Sequence, residues 1–157
     1  MAKQYWLLKS EPEEFSIDDL KRVKKEPWDG VRNYQARNYL KSMQIGDQAL
    51  FYHSNTEVPG IVGIMEVASE PYPDPMAFDQ KDKHYDPKSD PENPRWFLVE
   101  FKYVRHTART ISLAELKDDA KLEDFPLTRR GNRLSVMPVT AAQWKYLLGL
   151  EKKAPKA

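Results

Sequence analysis

The stretch ALFYHSNTEVPGIVGIMEV (residues 49–67) gives the clearest indication of the fold. Its two ends, 49–54 and 60–67, are rich in the aliphatic, β-branched and aromatic residues that favour strands. Between them lie an asparagine and the pair Pro59-Gly60, residue types that interrupt strands and form turns. A short, turn-rich loop between two such runs predicts an antiparallel pair of strands.

Further short strands flank this pair. Residues 5–9 are aromatic and aliphatic, residues 97–103 alternate apolar with more polar side chains, and residues 134–139 form another apolar run. These strands are rarely separated by the helical patterns of roughly 10–15 residues that a parallel α/β sheet needs. We therefore predict an α+β fold, a small and mostly antiparallel β-barrel with short helices on its rim.

Capping residues predict where the helices begin. The predicted starts are Ser16 with Asp19, Asn33, Ser112 with Glu115, and Thr140 with Gln143. The first helix is expected to run from Ile17 to about Lys25, before a proline. The third is expected to continue through Leu116.

Two of these helices have a clear inward face. The residues expected to face inward are Ala36, Leu40 and Met43 in the second helix, and Trp144, Leu147 and Leu148 in the closing helix. Gly46 and Gly149 are expected to end these helices. Arg37 and Lys41 share the opposite, outward face of the second helix.

Composition and charge narrow the class of protein. At 157 residues, 40% hydrophobic and 31% charged, the chain is typical of one globular domain. We expect the domain to span residues 1–150 and residues 151–157 to form a frayed tail. There is no cysteine, which excludes disulfide and thiolate chemistry. A net charge of +1 means that any nucleic-acid binding depends on a local patch and a pocket.

No signal peptide or membrane span is visible. The N-terminal residues lack an apolar run of the required length, and no other stretch approaches the length of a spanning helix. A soluble, intracellular protein with no membrane partner is expected.

The ionisable residues form no recognisable catalytic or metal site. His53, His84 and His106 lie far apart in the chain without a metal-binding spacing, and no nucleophile-elbow, Walker A or dinucleotide motif occurs. Adjacent acids such as Asp18-Asp19 are more typical of solvated helix faces, because neighbours on a helix point apart. We predict no catalytic residue, no metal and no cofactor.

Residues 68–95 form a long connection that contains six of the twelve prolines. Connections of this length are usually lids, binding loops or disordered segments. Because this one also contains Tyr72, Phe78 and Tyr85, we expect it to pack over another part of the protein.

The segment WDGVRNYQARN (residues 28–38) combines an indole, a guanidinium, amides and a phenol around a glycine turn that leads into a helix. An extruded nucleobase needs an aromatic face to stack on and polar groups to match its edge. A helix N-terminus with a nearby arginine also suits a phosphate. The alternative is a core tryptophan next to a capped helix, and the composition of the segment leaves both open.

Two strand ends and one basic cluster complete the candidate site. Residues 9–12 (KSEP) and 52–55 (YHSN) each place hydrogen-bonding groups where a buried strand ends, and strand ends of a barrel converge on its mouth. The candidate phosphate ligands are Arg129, Arg130 and Arg133, with Arg37 and Lys41 from the second helix. Ordinary strand ends and a solvated basic loop remain the alternatives.

These motifs resemble those of the EVE domain family. The resemblance rests on YWLLKSEP (5–12), WDGVRNYQARN (28–38), YHS (52–54), PGIVG (59–63) and RLSVMP (133–138), which occur in order between residue 4 and about residue 150. It implies a PUA-like β-barrel, related to the YTH and ASCH domains, that binds a modified base in DNA or RNA.

The resemblance also implies which residues line the base pocket: Lys9, Ser10, Trp28, Val31, Arg32, Asn33, Asn38, Tyr52, His53, Ser54, Pro59, Gly60, Leu134 and Ser135. The sequence lacks the long basic N-terminal extension of the eukaryotic nuclear members, so a bacterial, cytoplasmic protein is expected.

Two functions of different classes fit the sequence. The first is a monomeric binding module that reads a modified base in DNA or RNA. The second is an enzyme acting on nucleic acid, such as a nuclease or a glycosylase, which requires a general acid or base near the pocket. The nearest candidates, Glu11, Asp29 and His53, form no evident pair. A domain that binds a small molecule or a protein through the same cavity is a third, less specific interpretation.

Overall fold

The computed structural model describes residues 3–129 and 134–153. The strands are β1 (Tyr5–Ser10), β2 (Lys25–Pro27), β3 (Gln48–His53), β4 (Gly60–Val67), β5 (Tyr72–Pro73), β6 (Phe97–Leu98), β7 (Glu100–Ser112) and β8 (Val136–Val139). The α-helices are α1 (Ile17–Val23), α2 (Tyr34–Ser42), α3 (Leu113–Asp118) and α4 (Ala141–Leu150). Single 3-10 turns occur at Pro75–Phe78, Ala120–Leu122 and Pro126–Thr128.

Six of the strands form one curled sheet in the order β2-β7-β4-β3-β1-β8. The β1–β3 pairing is parallel, and the other neighbours in this sheet are antiparallel. Within the described residues the sheet curls into a half-barrel, with β2 and β8 at its edges. The predicted α+β, mostly antiparallel architecture is confirmed.

The hairpin predicted from residues 49–67 forms as β3 and β4. Its antiparallel register runs from Gln48 opposite Glu66 to His53 opposite Gly60, with an irregularity between Phe51 and Tyr52. β4 also pairs with β7 along most of its length, so the hairpin lies in the centre of the sheet.

The strand predicted at residues 97–103 is two strands, and the second is much longer than predicted. Phe97–Leu98 pairs with Tyr72–Pro73 in a separate two-stranded sheet, while Glu100–Ser112 crosses the main sheet. The backbone changes sheets at Val99, whose carbonyl accepts the N–H of Trp28 at 2.9 Å. Val99 is completely buried. The alternation of apolar residues therefore continues from β6 into β7, and the sequence pattern does not show that there are two strands.

Consecutive residues of the central strands enter different cores. Leu8 and Phe51 belong to one buried cluster, which also contains Trp28, whereas Leu7 and Tyr52 belong to a second cluster on the opposite face of the sheet. Side chains alternate between the faces of a strand, so a strand buried on both sides is apolar at every position.

The helix starts are confirmed, and three of the predicted ends differ from the structure. Ser16, Asn33, Ser112 and Thr140 each accept a backbone N–H three residues later through the side chain. Helix α1 ends at Val23 and not near residue 25, because the next residue turns to φ +72° and starts the approach to β2. Helix α2 ends at Ser42, before the predicted glycine terminator, and α4 continues past its glycine by one residue.

The predicted inward faces are largely correct. Ala36, Leu40 and Met43 are buried, as are Trp144 and Leu147. In the closing helix the third buried position is Leu150, whereas Leu148 is only partly buried.

The predicted frayed tail does not begin at Glu151. This carboxylate is 5% exposed, binds the guanidinium of Arg105 through two contacts at 2.7 and 2.9 Å, and accepts the N–H of Ala108 at 2.9 Å. A charge with three strong partners holds the chain against β7 beyond the end of α4. Residues 154–157 lie outside the described part of the chain.

Candidate functional site

A cavity of about 540 Å³ opens where β1, β2 and the residue after β3 meet the long 68–95 loop. Its lining residues are Lys9, Ser10, Glu11, Glu14, Phe15, Glu26, Pro27, Trp28, Asp29, Gly30, Val31, Arg32, Ser54, His84 and Ser135. The strand ends at residues 9–10 and 54 therefore do meet at one site, as predicted from their polar residues.

Backbone anchors hold the residues that follow β2 in the cavity wall. The N–H of Trp28 donates to the carbonyl of Val99 at 2.9 Å, and the N–H of Gly30 donates to Oδ2 of Asp74 at 2.7 Å. Gly30 has φ +77°, and a Cβ at this position would lie 2.9 Å from Nε2 of His84. Only glycine combines this conformation with the close approach of the imidazole ring.

Trp28 is part of the core and of the cavity wall. Its indole is 9% exposed and meets the rings of Phe51 and Phe101 nearly at right angles, with centroids 5.5 and 5.6 Å apart. Phe15 makes a similar contact at 6.5 Å and also lines the cavity. The core interpretation of this tryptophan is therefore confirmed, and because part of the ring lines the cavity, stacking on a base stays a prediction.

Three ionisable groups line the cavity without a partner side chain among residues 3–129 and 134–153: Lys9, Glu26 and Asp29. Burial lowers the pKa of Lys9. Burial, followed by repulsion from Asp29, raises the pKa of Glu26. The pKa of Asp29 is raised by the loss of solvent around its carboxyl group and then by repulsion from Asp74. All three shifts disfavour the charged form, which is a frequent property of binding and catalytic sites.

Arg32 lines the cavity, and its Nε and Nη1 donate to the protein, whereas its buried Nη2 has no hydrogen-bond partner within the described residues. Nη1 donates to the carbonyl of Val31 at 3.0 Å and to Oδ2 of Asp74 at 3.1 Å, and Nε donates to the carbonyl of His84 at 3.0 Å. The Asp74 side chain is completely buried. The pair thus fastens the 68–95 loop to the segment after β2, which gives Arg32 a structural function.

The 68–95 loop packs over α2 and the cavity, as its aromatic residues indicated. Trp96, at its end, is 6% exposed, stacks on Tyr34 with centroids 4.9 Å apart, and donates from its indole N–H to Asp86 at 2.6 Å. His84 reaches the cavity wall, and its Nδ1 lies 3.0 Å from Oδ1 of Asp82.

Half of the predicted pocket residues line the cavity and half do not. Those that line it are Lys9, Ser10, Trp28, Val31, Arg32, Ser54 and Ser135, and those that do not are Asn33, Asn38, Tyr52, His53, Pro59, Gly60 and Leu134.

The two asparagines have other hydrogen-bond partners. Oδ1 of Asn33 accepts the N–H of Ala36 at 2.9 Å as the cap of α2, and Oδ1 of Asn38 accepts from Arg37 at 2.8 and 3.1 Å. Both residues are exposed on the surface of the helix. The first was predicted as a cap as well as a base reader, and the cap is the function that the geometry shows.

The strand residues that miss the cavity point to other parts of the sheet. Tyr52 is 2% exposed in the core on the opposite face. Nε2 of His53 accepts the N–H of Ile17 at 3.1 Å, at the start of α1. Gly60, the first residue of β4, follows Pro59 and pairs with His53 and Ser112. Leu134 packs against both buried clusters.

The predicted phosphate ligands are partly engaged elsewhere. Arg37 donates to the carbonyl of Arg95 at 2.9 Å and lies over the ring of Tyr34 at 4.9 Å, and Nζ of Lys41 lies 4.6 Å from the ring centroid of Phe97. Arg129 is exposed. Arg130 and Arg133 lie outside the described residues.

Sequence reasoning missed Glu14, Phe15, Glu26, Pro27 and His84 as lining residues. Four of them are close in sequence to the recognised motifs, and extending those motifs by a few positions finds them. His84 comes from the 68–95 loop and carries no local signal. A basic turn was also missed: Lys21, Arg22, Lys24 and Lys25 are all exposed, immediately before β2 enters the cavity wall.

Two kinds of feature are absent from the described residues. No cluster of three or more potential metal ligands occurs within residues 3–129 and 134–153. In the same part of the chain, no helix has the length and apolarity to cross a membrane.

Several known proteins are similar to this chain. Human thymocyte nuclear protein 1 is 44% identical over 170 aligned residues, which cover 96% of this chain and 75% of the human protein. The solved structure of a Pseudomonas syringae protein has 48% identity and a TM-score of 0.91, covering 94% of this chain and 99% of the other. The human THYN1 protein, solved in complex with 5-methylcytosine containing DNA, has 43% identity and a TM-score of 0.90, covering 98% and 100%.

A more distant neighbour supports the fold alone. The YTH domain of Zygosaccharomyces rouxii MRB1, solved in complex with N6-methyladenosine RNA, superposes with a TM-score of 0.54 at 16% identity, covering 99% and 88%. The PUA-like architecture implied by the sequence resemblance is therefore confirmed. The EVE domain profile matches residues 4–150, nearly the full length of the described structure. By this match and by its relatives at more than 40% identity, the chain belongs to the EVE domain family.

Proposed function

We propose that this protein is a binding module that reads a modified base in a nucleic acid by accepting one extruded base into the cavity beside Trp28. The observation that carries the proposal is the unpaired set of Lys9, Glu26 and Asp29 in a cavity with aromatic walls. Lys9 and Glu26 are partly buried and Asp29 is exposed at the cavity wall. Partly buried charges without partners are costly in a folded protein unless a ligand supplies the partners.

The dimensions and the chemistry of the cavity suit a base. About 540 Å³ lies within the usual range of roughly 300–1,000 Å³ for small-ligand sites. Trp28 and Phe15 supply apolar ring surface, while Ser54 and Ser135 add hydroxyl groups to the same wall. An extruded base is held by ring contacts and by hydrogen bonds to its polar edge, and this wall offers both.

The relatives point to the same class of ligand. The human THYN1 protein, at 43% identity, was solved with 5-methylcytosine containing DNA. This supports a modified base in DNA or RNA as the partner of the present chain.

The phosphate backbone needs a surface outside the cavity. Because Arg37 and Lys41 contact the long loop and β6, the basic turn at residues 21–25 is a better candidate. Within the described residues, Lys21 and Lys24 have no ion-pair partner. The turn leads directly through β2 to Trp28, so a strand whose base enters the cavity passes close to it.

One observation favours the enzymatic alternative. The imidazole of His84 lines the cavity and is oriented by Asp82 at 3.0 Å, the arrangement of a general base with its supporting carboxylate. Incubation of a modified oligonucleotide with the protein, followed by analysis of strand length and free base, separates the two functions. We expect an unchanged oligonucleotide; release of a base or cleavage of the strand, lost in His84→Asn, would establish the enzyme.

The binding proposal is tested with matched fluorescent oligonucleotides. One set carries a single cytosine that is unmodified, 5-methylated or 5-hydroxymethylated, and a second set carries adenine with and without N6-methylation, each in DNA and in RNA. We expect at least one modified base to be bound at least tenfold more tightly than its unmodified parent. Equal affinity for every modified and unmodified pair would reject the reader function.

A further inference from the structure

The wall of the cavity is acidic, which is unusual for a protein that binds a polyanion. Glu11, Glu14, Glu26 and Asp29 line it, against the single unpaired ammonium of Lys9. Arg32 adds no free charge, because the buried carboxylate of Asp74 neutralises it at 3.1 Å. Carboxylates repel phosphate groups but accept hydrogen bonds. This wall therefore suits the hydrogen-bond donors on the edge of a base better than the phosphate backbone.

The four carboxylates have different surroundings. Glu11 accepts a hydrogen bond from Asn55, and Glu14 forms an exposed ion pair with Lys83 at 3.4 Å. Glu26 and Asp29, in contrast, have no side-chain partner within residues 3–129 and 134–153. The lone pairs of these two carboxylates are therefore available to a ligand in the cavity.

The backbone holds Asp29 in a defined position. The N–H groups of its two neighbours are both bound, that of Trp28 to Val99 and that of Gly30 to Asp74, at 2.9 and 2.7 Å. A carboxylate between two anchored residues lies next to the tryptophan that forms the cavity wall. Glu26 precedes it by three positions in β2 and is close enough for mutual repulsion.

We propose that Asp29, assisted by Glu26, accepts a hydrogen bond from the exocyclic amino group of the bound base, so that the cavity selects amino-bearing bases over their keto counterparts. This inference rests on the proposed function and adds to it the class of base and the residues that recognise it. A carboxylate is an acceptor only, so it matches an amino group and opposes a carbonyl oxygen at the same position. Selection against the keto base comes from this repulsion as much as from the bond to the amino base.

The test compares 5-methylcytosine with thymine in otherwise identical single-stranded oligonucleotides. The two bases share the 5-methyl group and differ at the edge around position 4, where one has an amino group and the other a carbonyl oxygen. We expect the wild-type protein to bind the 5-methylcytosine strand at least tenfold more tightly. In Asp29→Asn the ratio is expected to fall below about threefold, because an amide offers both a donor and an acceptor. Asp118→Asn, at the exposed end of α3 and outside the cavity lining, is the matched control and should keep the wild-type ratio.

The outcomes separate this inference from the proposed function. Equal binding of the two strands by the wild-type protein, with modified cytosine still preferred over cytosine, overturns the amino-group selection and leaves the reader function intact. A wild-type ratio that persists in both Asp29→Asn and Glu26→Gln, with melting temperatures showing that both are folded, overturns the assignment to these carboxylates. Absence of binding to every modified strand rejects the proposed function and the inference with it.

Discussion

The charged groups of the cavity differ from those where β7 meets α3 and α4, because several of the first lack partners within the described residues and the second are paired. In the cavity, Lys9 and Asp29 have no partner among the described side chains. Burial lowers the pKa of Lys9 and raises the pKa of Asp29, which favours the neutral form of each group. Where β7 meets α3 and α4, two arginines each bind a buried glutamate through two contacts of 2.7 to 2.9 Å. We call this second region the Arg–Glu corner, formed by Arg105 with Glu151 and Arg109 with Glu115.

The charged groups of the Arg–Glu corner are paired and stabilise the fold. Hydrogen bonds from Arg105 lower the pKa of Glu151, and hydrogen bonds to the glutamates raise the pKa of both arginines, so these three groups are held in their charged forms. Arg109 also donates to the carbonyls of Leu150 and Lys153 at 2.8 and 2.7 Å, which ties β7 to the end of α4. The unpaired groups of the cavity make no comparable contacts within the described residues, as the proposed binding function requires.

The largest effect is expected where the cavity and the core coincide, at Trp28. Trp28→Ala should lower the free energy of unfolding by about 3–5 kcal/mol, since it empties a packed aromatic site. It should also weaken binding of the modified oligonucleotide by roughly 1–3 kcal/mol, the usual contribution of a ring that contacts a base. Urea denaturation and fluorescence polarisation on the same samples measure both.

Trp144→Ala is the matched control for this prediction. Trp144 is 6% exposed on the opposite face of the sheet, where it stacks on Tyr5 at 4.5 Å. It should lose a similar amount of stability and keep wild-type affinity in the folded fraction. If folded Trp28→Ala binds as tightly as the wild type, the indole is a core residue alone and the contrast between the two faces disappears.

The Arg–Glu corner should be important for stability and irrelevant to binding. Glu115→Ala removes the partner of Arg109, whose side chain is only 17% exposed, and is expected to cost about 3 kcal/mol in the free energy of unfolding. Lys102→Ala breaks the more exposed pair with Glu66 and should cost less than about 1 kcal/mol. Equal costs for the two variants, measured by urea denaturation, would show that the corner is an ordinary surface network.

Removal of the Lys9 charge from the cavity should have the opposite effect: it should weaken binding without lowering stability. Lys9→Met keeps the apolar stem and removes a half-buried ammonium without a partner, so stability should be unchanged or slightly higher. Affinity for the modified strand should fall about tenfold, equivalent to about 1.4 kcal/mol. Lys145→Met, on the exposed side of α4, is the control and should change neither quantity. Lower stability with unchanged affinity in Lys9→Met would place this lysine with the structural charges.

The smallest effect concerns pH and His53. Burial lowers the pKa of His53, with Asp18 opposing the shift, and its Nε2 accepts the N–H of Ile17. The unfolded chain therefore binds the proton more strongly, with a pKa of about 6.5. The resulting stability is complete above that value and is lost as the pH falls through the lower pKa of the folded state. Urea denaturation between about pH 7.5 and 5 should show a smaller loss in His53→Gln than in the wild type. Parallel curves for the two proteins would exclude His53 as a source of the pH dependence.

Several residues of the site were predictable because their signals are local. Asn33 caps α2 as the spacing of polar and apolar residues indicates, and the polar residues at the ends of β1 and β3 bring Lys9 and Ser54 to one cavity. His53, one position before Ser54, was assigned to the cavity by the same reasoning and instead accepts a backbone N–H from α1. The neighbouring residues Lys9 and Ser10 both line the cavity, whereas of His53 and Ser54 only Ser54 does, so the polar pattern at a strand end does not show which of its residues face the site.

For other residues of the site, the neighbouring sequence does not indicate that they belong to it. Asp74 is an unremarkable acid in a proline-rich loop, yet it accepts hydrogen bonds from Gly30 and Arg32, more than 40 positions away in the chain. His84 reaches the cavity through the same loop. The sequence motif around residue 32 predicts a guanidinium at the cavity, and only the fold shows that this guanidinium is already bound.

The sequence alone was enough to predict the central hairpin and its flanking strands, the starts of the helices, the family and the segment that forms the cavity wall. These depend on periodicity, capping and motifs, which act between residues a few positions apart. Only the tertiary structure decided which charges are paired and which are free. Glu115 has the spacing of a capping-box residue, but its carboxylate binds Arg109, while Asp29 is left without a side-chain partner in the described part of the chain. The physical reason is that the state of a charge depends on its burial and on the groups that folding brings within hydrogen-bond distance, and neither is a property of neighbouring positions in the chain.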